Sequence, residues 1–79
     1  MPSDADPALF EALKARRTEL ARERRVPAYV VFPDKSLIDM VRRRPGNRAE
    51  MRDIHGMGET KLAQYGDLFL EVIRLHGRE

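Results

Sequence analysis

Leu9, Leu13 and Leu20, with Phe10 alongside, recur at helical spacing in a stretch rich in Ala, Leu, Arg and Glu, and predict a long first helix from Ala8 to about Arg25. The apolar stripe thins around Arg16 and Arg17, where a core-facing position needs an aliphatic stem with its guanidinium reaching outward. Val26 to Pro33 is apolar and rich in β-type residues, but Pro27 and Pro33 bracket it and no second strand candidate exists to pair with it. The segment is therefore expected to be a buried apolar loop between the first two helices. Asp34 can accept the orphan amides of the next turn, and Leu37, Met40 and Val41 follow at i, i+3 and i+4. That second helix is expected to stop near Arg44, ahead of Pro45 and Gly46. Asn47 and Glu50 have the spacing of a capping box and open a short third helix that turns Met51 and Ile54 to the core. The Gly56-Met57-Gly58 turn leads into a fourth helix, expected to close at Tyr65-Gly66, and Asp67 starts a fifth that carries Phe69, Val72, Ile73 and His76 and ends at Gly77.

Length allows one domain, because 79 residues bury only somewhat over ~60% of their unfolded surface and leave nothing for a second core. Residues 1–7 read as a polar, Pro-bracketed linker or disordered remnant, and 8–79 as the helical domain. Without cysteine there is neither a disulfide nor a thiolate metal site, which fits a reducing, cytoplasmic setting. No apolar run approaches the roughly 18 residues that span a bilayer, and the first residues lack the parts of a signal peptide, so no membrane role is expected. His55 and His76 have no metal-ligand spacing, and Asp34 and Asp39 have no nucleophile or base to accompany them. No metal site and no catalytic residue are expected.

The net charge of +2, from 15 Lys and Arg against 13 Asp and Glu, says little about a polyanionic partner. Its distribution says more: residues 26–48 hold five basic and two acidic groups, whereas 49–79 hold four and six. The positive excess lies in the middle third.

Taken in order, Leu9-Phe10-x-x-Leu13 with Arg17 and Leu20-Ala21, Val26-Pro27-Ala28-Tyr29-Val30-Val31-Phe32 with Asp34 and Leu37, Met40 with Arg44-Pro45, and Ile54-x-Gly56-Met57-Gly58-x-x-Lys61-Leu62-x-x-Tyr65-Gly66 with Phe69 and Ile73 resemble the HRDC domain. This is the helicase-and-RNase-D C-terminal module that follows the catalytic cores of RecQ-family helicases and RNase D. The match runs from about residue 9 to 76, and the Val-Pro-Ala-Tyr-Val-Val-Phe block is closer to bacterial RecQ than to RNase D. The resemblance implies an all-α, compact five-helix bundle without catalysis or cofactor of its own, with ATP and Mg belonging to the helicase core of a parent chain. It implies weak binding of single-stranded or branched DNA, modulation of the parent's DNA binding and unwinding, and a bacterial, nucleoid-associated location. Arg16, Arg48 and Arg52 depart from the pattern, standing where relatives often carry apolar or small residues.

Tyr29 is the candidate stacking platform, since family position suggests an exposed ring; a base stacked there is worth roughly 1–3 kcal/mol in any sequence context. Lys35, Arg42 and Arg43, with Lys14 and Arg17 as neighbours, are candidate phosphate contacts, although Arg42 and Arg43 also suit the negative end of a helix dipole. Gly56, Met57 and Gly58 are similar to the glycine turn of helix-hairpin-helix motifs, where amides at a helix start hold a phosphate with help from a lysine, here Lys61. The acidic last third, with Glu50, Asp53, Glu59, Asp67, Glu71 and Glu79, favours a different role: docking on the helicase core, a sister domain or another protein. The domain alone is expected to be monomeric.

Overall fold

In the computed structural model, which describes residues 6–76, Asp6 accepts the Leu9 amide at 3.2 Å and Pro7 takes the first helical position of α1 (Pro7–Arg24). Both residues were expected in the N-terminal linker, of which residues 1–5 lie outside the described region. Proline suits that position because its missing N–H would have no helical partner there. Leu9, Leu13, Arg17, Leu20 and Ala21 form the buried stripe of α1.

Instead of a plain loop, the apolar connector contains one helical turn, α2 (Ala28–Val31), with Pro27 as its N-cap. Here Val31 and Phe32 are fully buried. The β-type residues thus act through burial and not through strand pairing. The third helix, α3 (Asp34–Arg43), has Pro33 at its N-cap and no side-chain cap; Asp34 pairs instead with Arg17 on α1. The fourth, α4 (Arg48–Met51), is capped as the sequence predicts, with Asn47 accepting the Glu50 amide at 2.9 Å. Glu50 does not complete the reciprocal half of the box, since its carboxylate accepts the Gly46 amide at 2.7 Å.

α5 (Glu59–His76) is a single 18-residue helix where two helices were expected. Gly66 lies inside it and is buried, and a Cβ there would come within 2.9 Å of Leu62 Cδ1. Tyr65 and Phe69 flank this position on the buried face, so continuous packing overrides the helix-breaking tendency of glycine, which costs about 1 kcal/mol relative to alanine. The expected end at Gly77 lies outside the described residues. Five helices are present among the described residues, although their division differs from the sequence expectation around α2 and α5.

α1 packs along α5 and against α2 and α3, while α4 packs on α5. At the centre Phe32 makes edge-to-face contacts with Phe69, at 5.1 Å between centroids, and with Tyr65, at 5.8 Å. Such pairs add about 0.5–1.5 kcal/mol to the burial of the rings. The core is completed by Leu37, Met40 and Val41 from α3 and by Met51, Ile54 and Met57 from α4 and the turn after it.

Candidate nucleic-acid interface

The single turn of α2 separates its residues by face. Val31 and Phe32 point into the core, which leaves Tyr29 69% and Val30 44% exposed. The turn is held from inside: Arg17 Nη1 donates to the Phe32 carbonyl at 2.9 Å, and the Val30 amide donates to the Pro27 carbonyl at 3.0 Å. An exposed tyrosine on a rigid turn can offer a flat face to a base at little ordering cost. Lys61 Nζ lies 5.3 Å from the Phe32 centroid and the Arg24 guanidinium 5.3 Å from that of Tyr65. Because Phe32 and Tyr65 touch, the end of α1 and the start of α5 bring two cations to the aromatic cluster beneath α2.

Ion pairing redistributes the free positive charge. Arg43 is bound to Asp39 at 2.9 Å within the middle third, whereas Arg44 is bound to Asp6 at 2.9 Å and Arg48 to Asp67 at 2.7 Å, acids from outside it, so Lys35 and Arg42 are the cations of that segment without an ion pair among the described residues. Lys14 lies 3.8 Å from Glu11 and over the Phe10 ring. Arg17 is 8% exposed and is used within the fold by Phe32 and Asp34. Among the described residues, the cations without a carboxylate in ion-pair contact are Arg22, Arg24, Arg25, Lys35, Arg42 and Lys61. The first three end α1, where Glu23 is the only acid among them.

The acidic last third is similarly occupied. Glu59 pairs with Arg52, Asp67 with Arg48 and Glu71 with Arg74, while Glu50 holds the Gly46 amide; Glu79 lies outside the described residues. Arg48 and Arg52, the departures from the family pattern, bind α4 to α5 through these bridges. The open acidic face that motivated a docking role is therefore mostly neutralised.

Lys35, Arg42 and Arg43 come together in a groove of ≈ 430 Å³ with Ile38, Asp39, Asp53 and His55. Ser36 Oγ donates to the His55 carbonyl at 2.6 Å, and the His55 amide donates to Asp39 at 2.9 Å, which fixes the turn after α4 to α3. Gly56 has φ +77, a left-handed value that favours glycine, and a Cβ there would meet Ser36 Oγ at 3.1 Å. Met57 is buried, so its side chain serves the core. Gly58 accepts the first intrahelical bond of α5, from the Leu62 amide, and a Cβ there would meet nothing within 4 Å. Lys61 lies against Phe32, and Glu59 places a carboxylate in the first turn of α5.

The bridges have a consequence for pH. The Leu9 amide and Arg44 hold Asp6 below its ordinary 3.8 against the opposing effect of burial, and Arg48 holds Asp67 below the same value. Arg52 keeps Glu59 below its usual 4.5; burial pushes Asp39 up, but the His55 amide and Arg43 bring it below 3.8. Since these carboxyls titrate lower in the folded chain than in the unfolded one, their stabilisation is complete above the unfolded values and is lost as pH falls through the folded ones. The melting temperature is expected to hold from neutrality to about pH 5 and to fall progressively below about pH 4.5. A melting curve followed by circular dichroism at each pH checks this, and a Tm still level near pH 2.5 contradicts it.

The structure thus places Lys61 against Phe32, in the same short segment as the exposed Tyr29, and Lys35 with Arg42 and Arg43 in the α3 groove, and it assigns Arg17 to the interior. Arg22, Arg24 and Arg25 escaped the sequence reading because six basic and five acidic groups in residues 1–25 nearly cancel on paper. The run Arg22-Glu23-Arg24-Arg25 before Pro27 was the available signal. Among the described residues, no group of His, Cys, Asp and Glu could hold a metal ion and no helix is long and apolar enough to cross a membrane.

The profile of the HRDC domain matches residues 6–73. The ATP-dependent DNA helicase RecQ of Bacillus subtilis is 46% identical over 70 residues, 89% of this chain and 12% of that protein. RecQ of Pasteurella multocida is 37% identical over 90% of this chain and 11% of its own length, and the ATP-dependent DNA helicase UvrD2 of Mycobacterium tuberculosis 42% identical over 91% and 10%. Among solved structures, HRDC domain 3 of D. radiodurans RecQ superposes with a TM-score of 0.85 at 34% identity, covering 90% of this chain and 93% of that one. The chain spans about a tenth of the length of the curated relatives it matches.

Proposed function

Because the chain belongs to the HRDC domain family, we propose that it is the accessory domain of a RecQ-like, ATP-dependent DNA helicase and that it binds single-stranded or branched DNA weakly, adjusting which DNA structures the helicase core engages. The observation that carries this reading is the exposed Tyr29 in a domain whose Arg22, Arg24, Arg25 and Lys61 make no ion pair with any described carboxylate. A base stacks on the Tyr29 ring, while Lys61 and the end of α1 meet the flanking phosphates. Lys35, Arg42 and Arg43 in the α3 groove supply a second phosphate track that a branched substrate can use. ATP and Mg act in the helicase core and not in this domain. The glycine turn contributes at Gly58, where the open approach to the backbone leaves room for a phosphate.

With so few unpaired cations the affinity belongs in the roughly 10⁻⁴ to 10⁻⁶ M range of sequence-independent binding, with a shallow salt dependence. Fluorescence anisotropy with labelled single strands, duplex and forked DNA at two salt concentrations tests the proposal. Tyr29→Ala is expected to weaken single-strand binding roughly five- to 150-fold, as the loss of one stacked base requires. Flat anisotropy for every DNA up to about millimolar protein overturns the reading, since even non-specific binding saturates below that.

A further inference from the structure

Two helices of this domain end on an arginine in the left-handed conformation: α1 at Arg25, with φ 58 and ψ 46, and α3 at Arg44, with φ 46 and ψ 62. Side chains bearing a Cβ adopt this region at a cost, and helix ends of this kind favour glycine. The α1 end is a complete double closure, with the Val26 amide donating to the Ala21 carbonyl at 3.0 Å and the Arg25 amide to the Arg22 carbonyl at 3.2 Å. Such a closure needs only the backbone of its left-handed residue.

Arg44 has a use in the fold, since its guanidinium binds Asp6 and ties the start of α1 to the end of α3. Arg25 has none: its side chain is exposed and makes no ion pair with any described residue. Its positive charge does favour the C-terminal end of α1, but Arg22 and Arg24 already occupy the last turn and provide that interaction. The strained position therefore carries a guanidinium that nothing in the described domain uses, four residues ahead of the exposed Tyr29 at the turn joining α1 to α2.

We infer that Arg25 is a phosphate contact for the strand whose base lies on Tyr29, retained at a backbone position where glycine would make the domain more stable. This inference rests on the proposed single-strand binding and adds to it a residue whose removal separates affinity from stability. The sign is unusual: a substitution that strengthens the fold weakens the binding.

The test compares Arg25→Gly, Arg25→Lys and Arg74→Gln with the parent chain, by thermal melting and by anisotropy with a labelled oligothymidylate across a salt series. Arg25→Gly is expected to raise the Tm by roughly 2–6 °C, weaken binding about fivefold and lower the slope of log K against log salt by about 0.7, the share of one phosphate on a single strand. Arg25→Lys keeps most of the affinity and the whole slope. Arg74→Gln removes an equal charge on α5, where Arg74 is paired with Glu71, and leaves the slope unchanged. Unchanged affinity and slope in Arg25→Gly overturn the inference while leaving base stacking on Tyr29 intact. So does an equal loss in Arg74→Gln, which reduces the effect to net charge, and so does a lower Tm in Arg25→Gly. If the parent chain binds no oligothymidylate at all, the proposed function falls along with it.

Discussion

Phe32→Ala is expected to destabilise the domain by roughly 3–5 kcal/mol, the range for removing a fully buried phenylalanine. A chain of this size has about 4–12 kcal/mol of total stability, so one such loss consumes most of the margin at the lower end. Phe32 is the ring to which the other two aromatic core residues are fitted, with Phe69 at 5.1 Å and Tyr65 at 5.8 Å, and it anchors the single turn that presents Tyr29. The cavity opens where α1, α2 and α5 converge, and α5 cannot move in to close it without losing its packing along the whole of α1. Urea titration followed by far-ultraviolet circular dichroism measures the loss; a decrease under about 1 kcal/mol would mean that the site collapses around alanine. Since Tyr29 depends on the same turn, the proposed DNA binding is expected to weaken along with the fold.

The second large effect is expected at Arg17. Its Nη1 donates to the buried carbonyl of Phe32 at 2.9 Å and to Asp34 at 2.8 Å, while its stem fills the buried stripe of α1 between Leu13 and Leu20. Arg17→Ala removes the stem and leaves the carbonyl without its donor, for a combined loss of about 2–4 kcal/mol. The bridge to Asp34 contributes little of this, because that carboxylate is 66% exposed and screened by water. Arg17→Met retains most of the apolar volume and is expected to recover about half of the loss, the remainder being the stranded carbonyl. Asp34→Asn should cost well under 1 kcal/mol. If Asp34→Asn proves as damaging as Arg17→Ala, the ion pair and not the carbonyl bond is the main link.

Much of this architecture was legible in the sequence because its signals are local. The apolar stripe of α1, the Leu37-Met40-Val41 run of α3 and the Asn47 cap of α4 each involve residues within a turn or two of one another, and all are present. The reading failed where a distant partner decides. Gly66 has the appearance of a helix end, but the core contacts of Tyr65 and Phe69 carry α5 through it. Asp34 has the appearance of a cap, but Arg17, seventeen residues earlier, takes its carboxylate. Charge was the least legible property, because a sum over a third of the chain ignores which acid each base meets. Arg44 and Asp6 are 38 residues apart in sequence and Arg48 and Asp67 are 19 apart, and only the fold reveals that they cancel. The same cancellation leaves the cations at the end of α1 uncompensated, although no local count singled them out.

The packing of α1 along α5 also bears on how the domain is made. The buried stripe of α1 packs against α2 and α3, which follow it closely in sequence, and against α5, the last helix of the described chain, so a nascent α1 lacks part of its cover until α5 is made. At roughly 5–20 residues per second the ribosome takes some seconds to add the residues from the end of α1 to the end of α5. During that interval the leucine stripe is exposed to whatever surrounds the ribosome, and an isolated helix of this length is marginal in water. The full core therefore forms only once α5 is available to pack on α1 and α4. Slow codons placed before α5 would prolong the vulnerable interval.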